Sequence, residues 1–161
     1  MQAMRVYFHE DFYPVYTADP AAAAGRMEAV VAALEGEVAF LDFDLHFGDS
    51  TVNIMGHRSW VTILNPEDAS ADCYLEETQR SLARAKFDII GVSAGFDNHR
   101  EDWGGLLATE DYETIGPMVR QAADRNRGGC FGVLEGGYNH HVLGGNVQAF
   151  LRGLGHRSES H

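Results

Sequence analysis

The residues from Leu41 to Thr51, LDFDLHFGDST, constrain this chain more than any other stretch. The apolar run VAFL, residues 38–41, leads into them and is typical of a buried strand. Charged side chains at the end of a buried strand are costly unless they are paired, hydrogen-bonded or bound to metal. Asp44 and His46 are two residues apart, so in an extended chain their side chains point to the same side. A carboxylate and an imidazole therefore converge here, which is half of the ligand set that zinc requires.

Apolar runs and amphipathic segments alternate along the chain. Strands are predicted over residues 5–8, 38–43, 60–64, 88–93 and 130–134. A first helix is predicted over residues 20–35, and a second, whose apolar face starts at Leu75, ends at about residue 86. A third helix is predicted to begin after an N-cap at Thr109, and a fourth runs from an N-cap at Asn139 to residue 154. Continuous apolar strands that alternate with helices are typical of a parallel sheet covered on both faces. We therefore expect one α/β domain over residues 1–155 and a polar tail over 156–161.

Polar groups follow three of the predicted strands, at the carboxyl ends where ligands bind in such folds. The sequences are DLH at 44–46, GFDNH at 95–99 and EGGY at 135–138. Asp44, His46 and Asp97 would form a three-ligand metal site with room for water, which is the catalytic arrangement. Tyr138, on a glycine turn at the same edge, would be placed to donate a hydrogen bond to a developing oxyanion.

Charge and composition narrow the classes of partner. The net charge of −12 and the pI near 4.9 argue against nucleic acid and anionic membranes and favour a small cationic molecule. The first twelve residues contain acids where a signal peptide needs an apolar stretch, and no apolar run is long enough to span a bilayer. Cys73 and Cys130 lie outside any metal-type spacing and are expected to be reduced core thiols. A cytoplasmic location is the resulting expectation.

Three segments resemble the motifs of the histone deacetylase and acetylpolyamine amidohydrolase family. They are LDFDLHFGD at 41–49, VSAGFDNH at 92–99 and LEGGY at 134–138, and they occur in family order. The resemblance implies a single α/β domain of the arginase-deacetylase type, reduced in size. It also implies zinc-dependent hydrolysis of an acetylated amine, a polyamine or a lysine-like amide.

The resemblance also assigns roles to individual residues. It implies three zinc ligands: Asp44, His46 and Asp97. Other divalent ions also suit mixed Asp/His sites. Tyr138 matches the residue that polarises the substrate carbonyl, and Asp42 and Asp49 match acids that partner the catalytic histidines. Asp42, with the backbone carbonyls of residues 44 and 46, also matches a monovalent cation site, for which potassium is the expected ion.

One departure from the family leaves activity open. The family carries a tandem histidine pair in a Pro-Gly-His-His loop upstream of the first ligand strand, and one of the pair is the general base. Here the predicted helix over 20–35 runs almost directly into the strand over 38–43, so that segment is absent. One alternative is therefore a metal-binding but catalytically impaired relative, or a module that forms homo-oligomers through an exposed sheet face or edge.

A serine hydrolase is a less favoured alternative. Residues 91–95, GVSAG, fit the nucleophile-elbow pattern around Ser93, with Asp102 and His140 following in a workable order. The elbow must open directly into a helix, whereas a polar, glycine-bearing loop is predicted after residue 94. The pair His140-His141 is expected to cap a helix or lie on the surface, and His99 to form structural hydrogen bonds.

Overall fold

The structure is a computed structural model that describes residues 36–155. The predicted strand over 5–8, the predicted helix over 20–35 and the polar tail over 156–161 lie outside the described residues. The domain boundaries drawn from the sequence therefore stay a prediction.

The described residues form an α/β fold with a parallel sheet, as the sequence predicts. The strands are β1 (Val38–Asp42), β2 (Val61–Leu64), β3 (Ile89–Ala94) and β4 (Gly129–Leu134). The helices are α1 (Asp49–Met55), α2 (Ala71–Arg84), α3 (Thr109–Arg125) and α4 (His140–Gly155). The strands are all parallel and lie in the order β2-β1-β3-β4. None of these helices is both long and apolar enough to cross a lipid bilayer.

The order of the strands creates a crevice at one point of the sheet. From β1 the chain passes through α1 to β2 on one side, whereas from β3 it passes through α3 to β4 on the other. The connections that leave the adjacent carboxyl ends of β1 and β3 therefore diverge. A parallel sheet binds ligands at such a switch point, where the loops part and leave room between them.

The hydrophobic core lies between the sheet and the helices α2, α3 and α4. Every residue of β1 is buried, and alternate residues of β1 and β3 belong to one buried cluster with side chains from the three helices. The helical members include Tyr74, Leu82, Tyr112, Ile115, Val119 and Phe150. Each fully buried apolar side chain of this size contributes about 1.5–3 kcal/mol. The strand ends that carry the polar motifs are thus held by the most buried part of the molecule.

Several local details differ from the predictions. Helix α1 occupies a stretch for which the sequence predicts neither a strand nor a helix. Thr109 is the first helical residue of α3 rather than its N-cap, which is Ala108, and its hydroxyl donates to Asn146 Oδ1 at 2.7 Å. The predicted cap of α4 is confirmed, since Asn139 Oδ1 accepts the backbone N–H of His141. Cys73 is exposed on α2, so its assignment to the core was wrong.

Candidate functional site

Three side chains from two strand ends meet in the crevice between β1 and β3. His46 Nδ1 lies 3.1 Å from Asp44 Oδ1 and 3.4 Å from Asp97 Oδ2. One potential ligand atom from each of the three residues lies within 4.8 Å of the other two. The structure thus brings together the two carboxylates and the imidazole that the sequence singled out. Asp44, His46 and Asp97 are called the triad below.

Asp97 is the most buried member of the triad. Its side chain is inaccessible to solvent, and its Oδ1 accepts the backbone N–H of Leu45 at 3.0 Å. Its Oδ2 is buried without a hydrogen-bond partner among the described residues. Burial raises the pKa of Asp97, and the neighbouring charge of Asp44 raises it further. A buried carboxylate oxygen without a partner is costly, and a cation in front of it would remove that cost.

Two glycines, which have no side chain, make room for the carboxylates of the triad. A Cβ at Gly136 would collide with Asp44 Oδ2 and would lie 2.7 Å from the carboxylate of Asp97. A Cβ at Gly95 would collide with the side chain of Asp44. Glycine is therefore required at both positions by close approach. Together with the unpartnered Asp97 oxygen, this cradle of carboxylate and imidazole donors fits a divalent ion of the zinc type.

Asp42 is buried next to the triad, and its carboxylate faces the side-chain oxygen of Asn65. Burial raises the pKa of Asp42 to about 6, even though its carboxylate accepts the backbone N–H of Asp44. A Cβ at Gly48 would touch both Asp42 Oδ2 and Asn65 Oδ1, so these two oxygens face the same space. Asn65 Oδ1 is itself buried without a hydrogen-bond partner in the described part of the chain.

Exposed apolar side chains surround the triad. Two open cavities of about 380 and 370 Å³ border it, and Tyr138 lines the second of them. The ring of Tyr138 is 50% exposed and stacks on Trp103, with centroids 4.1 Å apart and planes 20° apart. Burial and the charges of nearby acids raise the pKa of Tyr138 from its usual value near 10, at which a phenol is already protonated at neutral pH. Leu45 and Phe47 add exposed apolar surface to the same rim.

The other candidates lie apart from the triad. Asp49 is exposed in the first turn of α1 and lines the second cavity, but it does not belong to the cluster of converging ligand atoms. Ser93 lies inside β3 with its hydroxyl 3.3 Å from a Glu135 carboxylate oxygen, and the strand opens into a loop. The geometry of a nucleophile elbow is therefore missing at Ser93. Within the described residues, only one histidine, His46, lines the two cavities.

The remaining described histidines have other surroundings. His99 is buried and its Nδ1 accepts the backbone N–H of Glu101, which confirms the structural role expected of it. His140 and His141 are exposed at the start of α4, and His57 is exposed in a turn. The structure therefore gives none of these four rings a place in the crevice.

Sequence reasoning missed the role of Asp102. Its carboxylate accepts three backbone N–H groups: Trp103 at 2.9 Å, Tyr138 at 2.8 Å and Asn139 at 2.7 Å. Burial opposes ionisation of Asp102, but these three donors outweigh it and lower its pKa. The donors are backbone groups of a loop and a distant turn, so no residue pattern could have revealed the contact.

Comparisons with known proteins agree with this architecture. The family described as histone deacetylase domain matches residues 65–154, which includes Asp97 and Tyr138 but begins after His46. A protein described as a probable deacetylase from Methanothermobacter thermautotrophicus is 42% identical over 69 residues, which are 42% of this chain and 20% of that protein.

Two solved structures share the fold. The acetylpolyamine aminohydrolase from Burkholderia pseudomallei superposes with a TM-score of 0.66 at 23% identity, over 79% of this chain and 47% of that one. The HD domain of HDA15 gives a TM-score of 0.56 at 19% identity, over 78% of this chain and 46% of that one. This chain therefore matches only about half of each solved relative and about a fifth of the curated one. Because the family match covers more than half of the 161 residues, the chain belongs to the histone deacetylase family.

Proposed function

We propose that this chain is a zinc-dependent amidohydrolase that removes an acetyl group from an amine, a polyamine or a lysine-like amide. The observation that carries the proposal is the convergence of Asp44, His46 and Asp97, with an unpartnered carboxylate oxygen at its buried side. Membership of the deacetylase family supports the reaction class. The acidic balance of the chain suits a cationic substrate.

The triad would hold the metal ion, while the surrounding residues handle the substrate. A bound zinc ion polarises a carbonyl oxygen and lowers the pKa of a bound water to about 7. The Tyr138 phenol, which keeps its proton at neutral pH, would donate a hydrogen bond to the carbonyl oxygen as it becomes an oxyanion. The apolar rim that includes Leu45 and Phe47 would contact the methylene chain of the substrate.

One observation favours a second candidate function. Within residues 36–155, no histidine besides His46 lines the cavities, so this part of the chain places no further imidazole to take the proton of the attacking water. General base catalysis contributes roughly 10²–10⁴-fold to such reactions. The alternative is therefore a metal-binding relative with weak or no turnover. A histidine supplied by a second copy of the chain would restore the base, and light scattering would show whether such a second copy is bound.

A monovalent cation is proposed for a neighbouring site. Asp42 would bind it together with the backbone carbonyls of residues 44 and 46. Support comes from the raised pKa of Asp42 and from the unpartnered Asn65 oxygen that faces the same space. Potassium is the ion proposed, since it would offset the cost of the buried charge.

Metal analysis and an activity assay test the proposal together. We expect protein purified without added ions to contain one divalent ion per chain, and Asp97→Asn to lose it. Asp72→Asn, an exposed acid in the first turn of α2, is the matched control and should keep the ion. Release of acetate from acetylputrescine and from an acetyl-lysine peptide then separates the two candidates. Metal-loaded protein without any acetate release would favour the alternative, and absence of metal would overturn both.

A further inference from the structure

The loop after β3 and the turn after β4 are joined through one carboxylate. Asp102 Oδ1 accepts the N–H of Trp103, while its Oδ2 accepts those of Tyr138 and Asn139. Asn139 Nδ2 donates in return to the carbonyl oxygen of Glu101 at 2.7 Å. Hydrogen bonds to an ionised carboxylate are among the stronger ones in proteins. The backbone N–H of Tyr138 is thus bonded to Asp102, beyond the end of β4.

The side chain of Tyr138 is held by the same loop. Its ring lies on Trp103, which is 66% exposed, in a nearly parallel stack with centroids 4.1 Å apart. Such pairs contribute about 0.5–1.5 kcal/mol beyond the area they bury. The Trp103 ring also meets His46 edge to face, with centroids 6.2 Å apart. One two-residue segment therefore contacts both Tyr138 and a member of the triad.

We infer that Asp102 is a positioning residue that, with Trp103 stacked on the ring, fixes the Tyr138 phenol beside the triad. Tyr138 is half exposed and lies between Gly136, whose carbonyl oxygen accepts the Phe96 N–H at 2.9 Å, and the start of α4, while its own N–H is held by Asp102. Without the carboxylate, the N–H groups of the turn lose their common acceptor, and the ring is free to leave the stack. The catalytic part of this inference rests on the proposed deacetylase function, whereas the structural part does not.

NMR of protein carrying ¹³C-labelled tyrosine tests the structural part without any activity. The Trp103 ring should shift the Tyr138 ring protons upfield, and Tyr138→Phe identifies that signal by removing it. In Asp102→Ala the N–H groups of Tyr138 and Asn139 both lose their acceptor, so we expect most of the upfield shift to vanish. Trp103→Ala should abolish it. Glu101→Gln is the matched control, because it neutralises the exposed acid that precedes Asp102 and keeps the backbone carbonyl that accepts the Asn139 side chain. An unchanged shift in Asp102→Ala would overturn the inference.

Kinetics on acetylputrescine test the catalytic part in the metal-loaded full chain. We expect Asp102→Ala to lower kcat on the order of ten- to a hundredfold, less than the roughly 10²–10³-fold for removal of an oxyanion donor. KM should change little, since Asp102 is expected to act through Tyr138 and not on the substrate. A kcat like that of Glu101→Gln would overturn the catalytic part. If the wild-type chain releases no acetate, the proposed function fails, and the NMR result alone decides the positioning role.

Discussion

Phe43 and Phe96 meet edge to face, with ring centroids 5.5 Å apart, and each directly precedes a carboxylate of the triad. Both rings are almost fully buried, and the ring centroids of Phe43 and Phe150 lie 5.3 Å apart. The alternation of side chains along an extended chain sends Phe43 into the core and Asp44 into the crevice. The separation of the carboxylates is therefore set by aromatic packing one residue away from each.

Phe43→Ala should couple stability to metal binding. Truncation of a buried phenylalanine leaves a cavity and costs about 3–5 kcal/mol of unfolding free energy, which urea denaturation would measure. We expect a loss of zinc affinity in the remaining folded protein, because the strand end that carries Asp44 loses its anchor. Phe47→Ala is the control, since Phe47 is 49% exposed and its truncation should change stability by less than about 0.5 kcal/mol. Equal effects of the two substitutions would contradict this account.

Gly136→Ala should abolish metal binding. A methyl group there would collide with Asp44 and come within 2.7 Å of the Asp97 carboxylate, so the two ligands could not keep their positions. Gly144→Ala, in α4, meets no atom within 4 Å and should instead stabilise the protein by about 0.5–1 kcal/mol. Zinc titration by calorimetry and thermal melts would compare the two variants. Zinc binding by Gly136→Ala with wild-type affinity would show that the ion, if any, lies elsewhere.

Zinc should raise the melting temperature of the wild-type chain and leave that of Asp97→Asn unchanged. Binding to the native state alone adds about 2.7 kcal/mol of stability when the free ion is at 100 times its Kd. In metal-free protein Asp97→Asn should not be strongly destabilising, because the pKa of Asp97 is already raised by burial and Asn keeps the Oδ1 acceptor for Leu45. Differential scanning calorimetry with EDTA and with zinc separates these effects. A zinc shift that survives in Asp97→Asn would place the ion away from the triad.

The strands and the crevice follow from the sequence because their signals are local. β1 and β3 are continuous apolar runs, and the meeting of their carboxyl ends follows from a parallel sheet. Helix α1 escaped prediction because its sequence, DSTVNIM, is short, rich in β-branched residues and has no side-chain cap. The exposure of Cys73 could have been predicted from helical periodicity, because Cys73 lies on the same face of α2 as the charged residues Glu77, Arg80 and Arg84. The contacts of Asp102 depend on how distant segments pack, and no local pattern encodes them.

The stability of metal-free protein should depend on pH through Asp42. Burial raises the pKa of this carboxyl from 3.8 to about 6, so between these values the native state holds a proton that the unfolded chain has lost. The unfolding free energy therefore falls by about 1–3 kcal/mol as the pH rises from about 4 to 6, and it levels off above pH 6.

Asp42→Asn, which keeps an acceptor for the Asp44 N–H, should remove this pH dependence and be the more stable protein at pH 7.5. Urea denaturation in EDTA at pH 5 and 7.5 measures the difference, with Asp72→Asn as the exposed control. Potassium should reduce the difference in unfolding free energy between wild type and Asp42→Asn at pH 7.5 if it binds beside Asp42, because it offsets the same buried charge. A gap between wild type and Asp42→Asn that is equal at both pH values would contradict the assignment of this cost to Asp42.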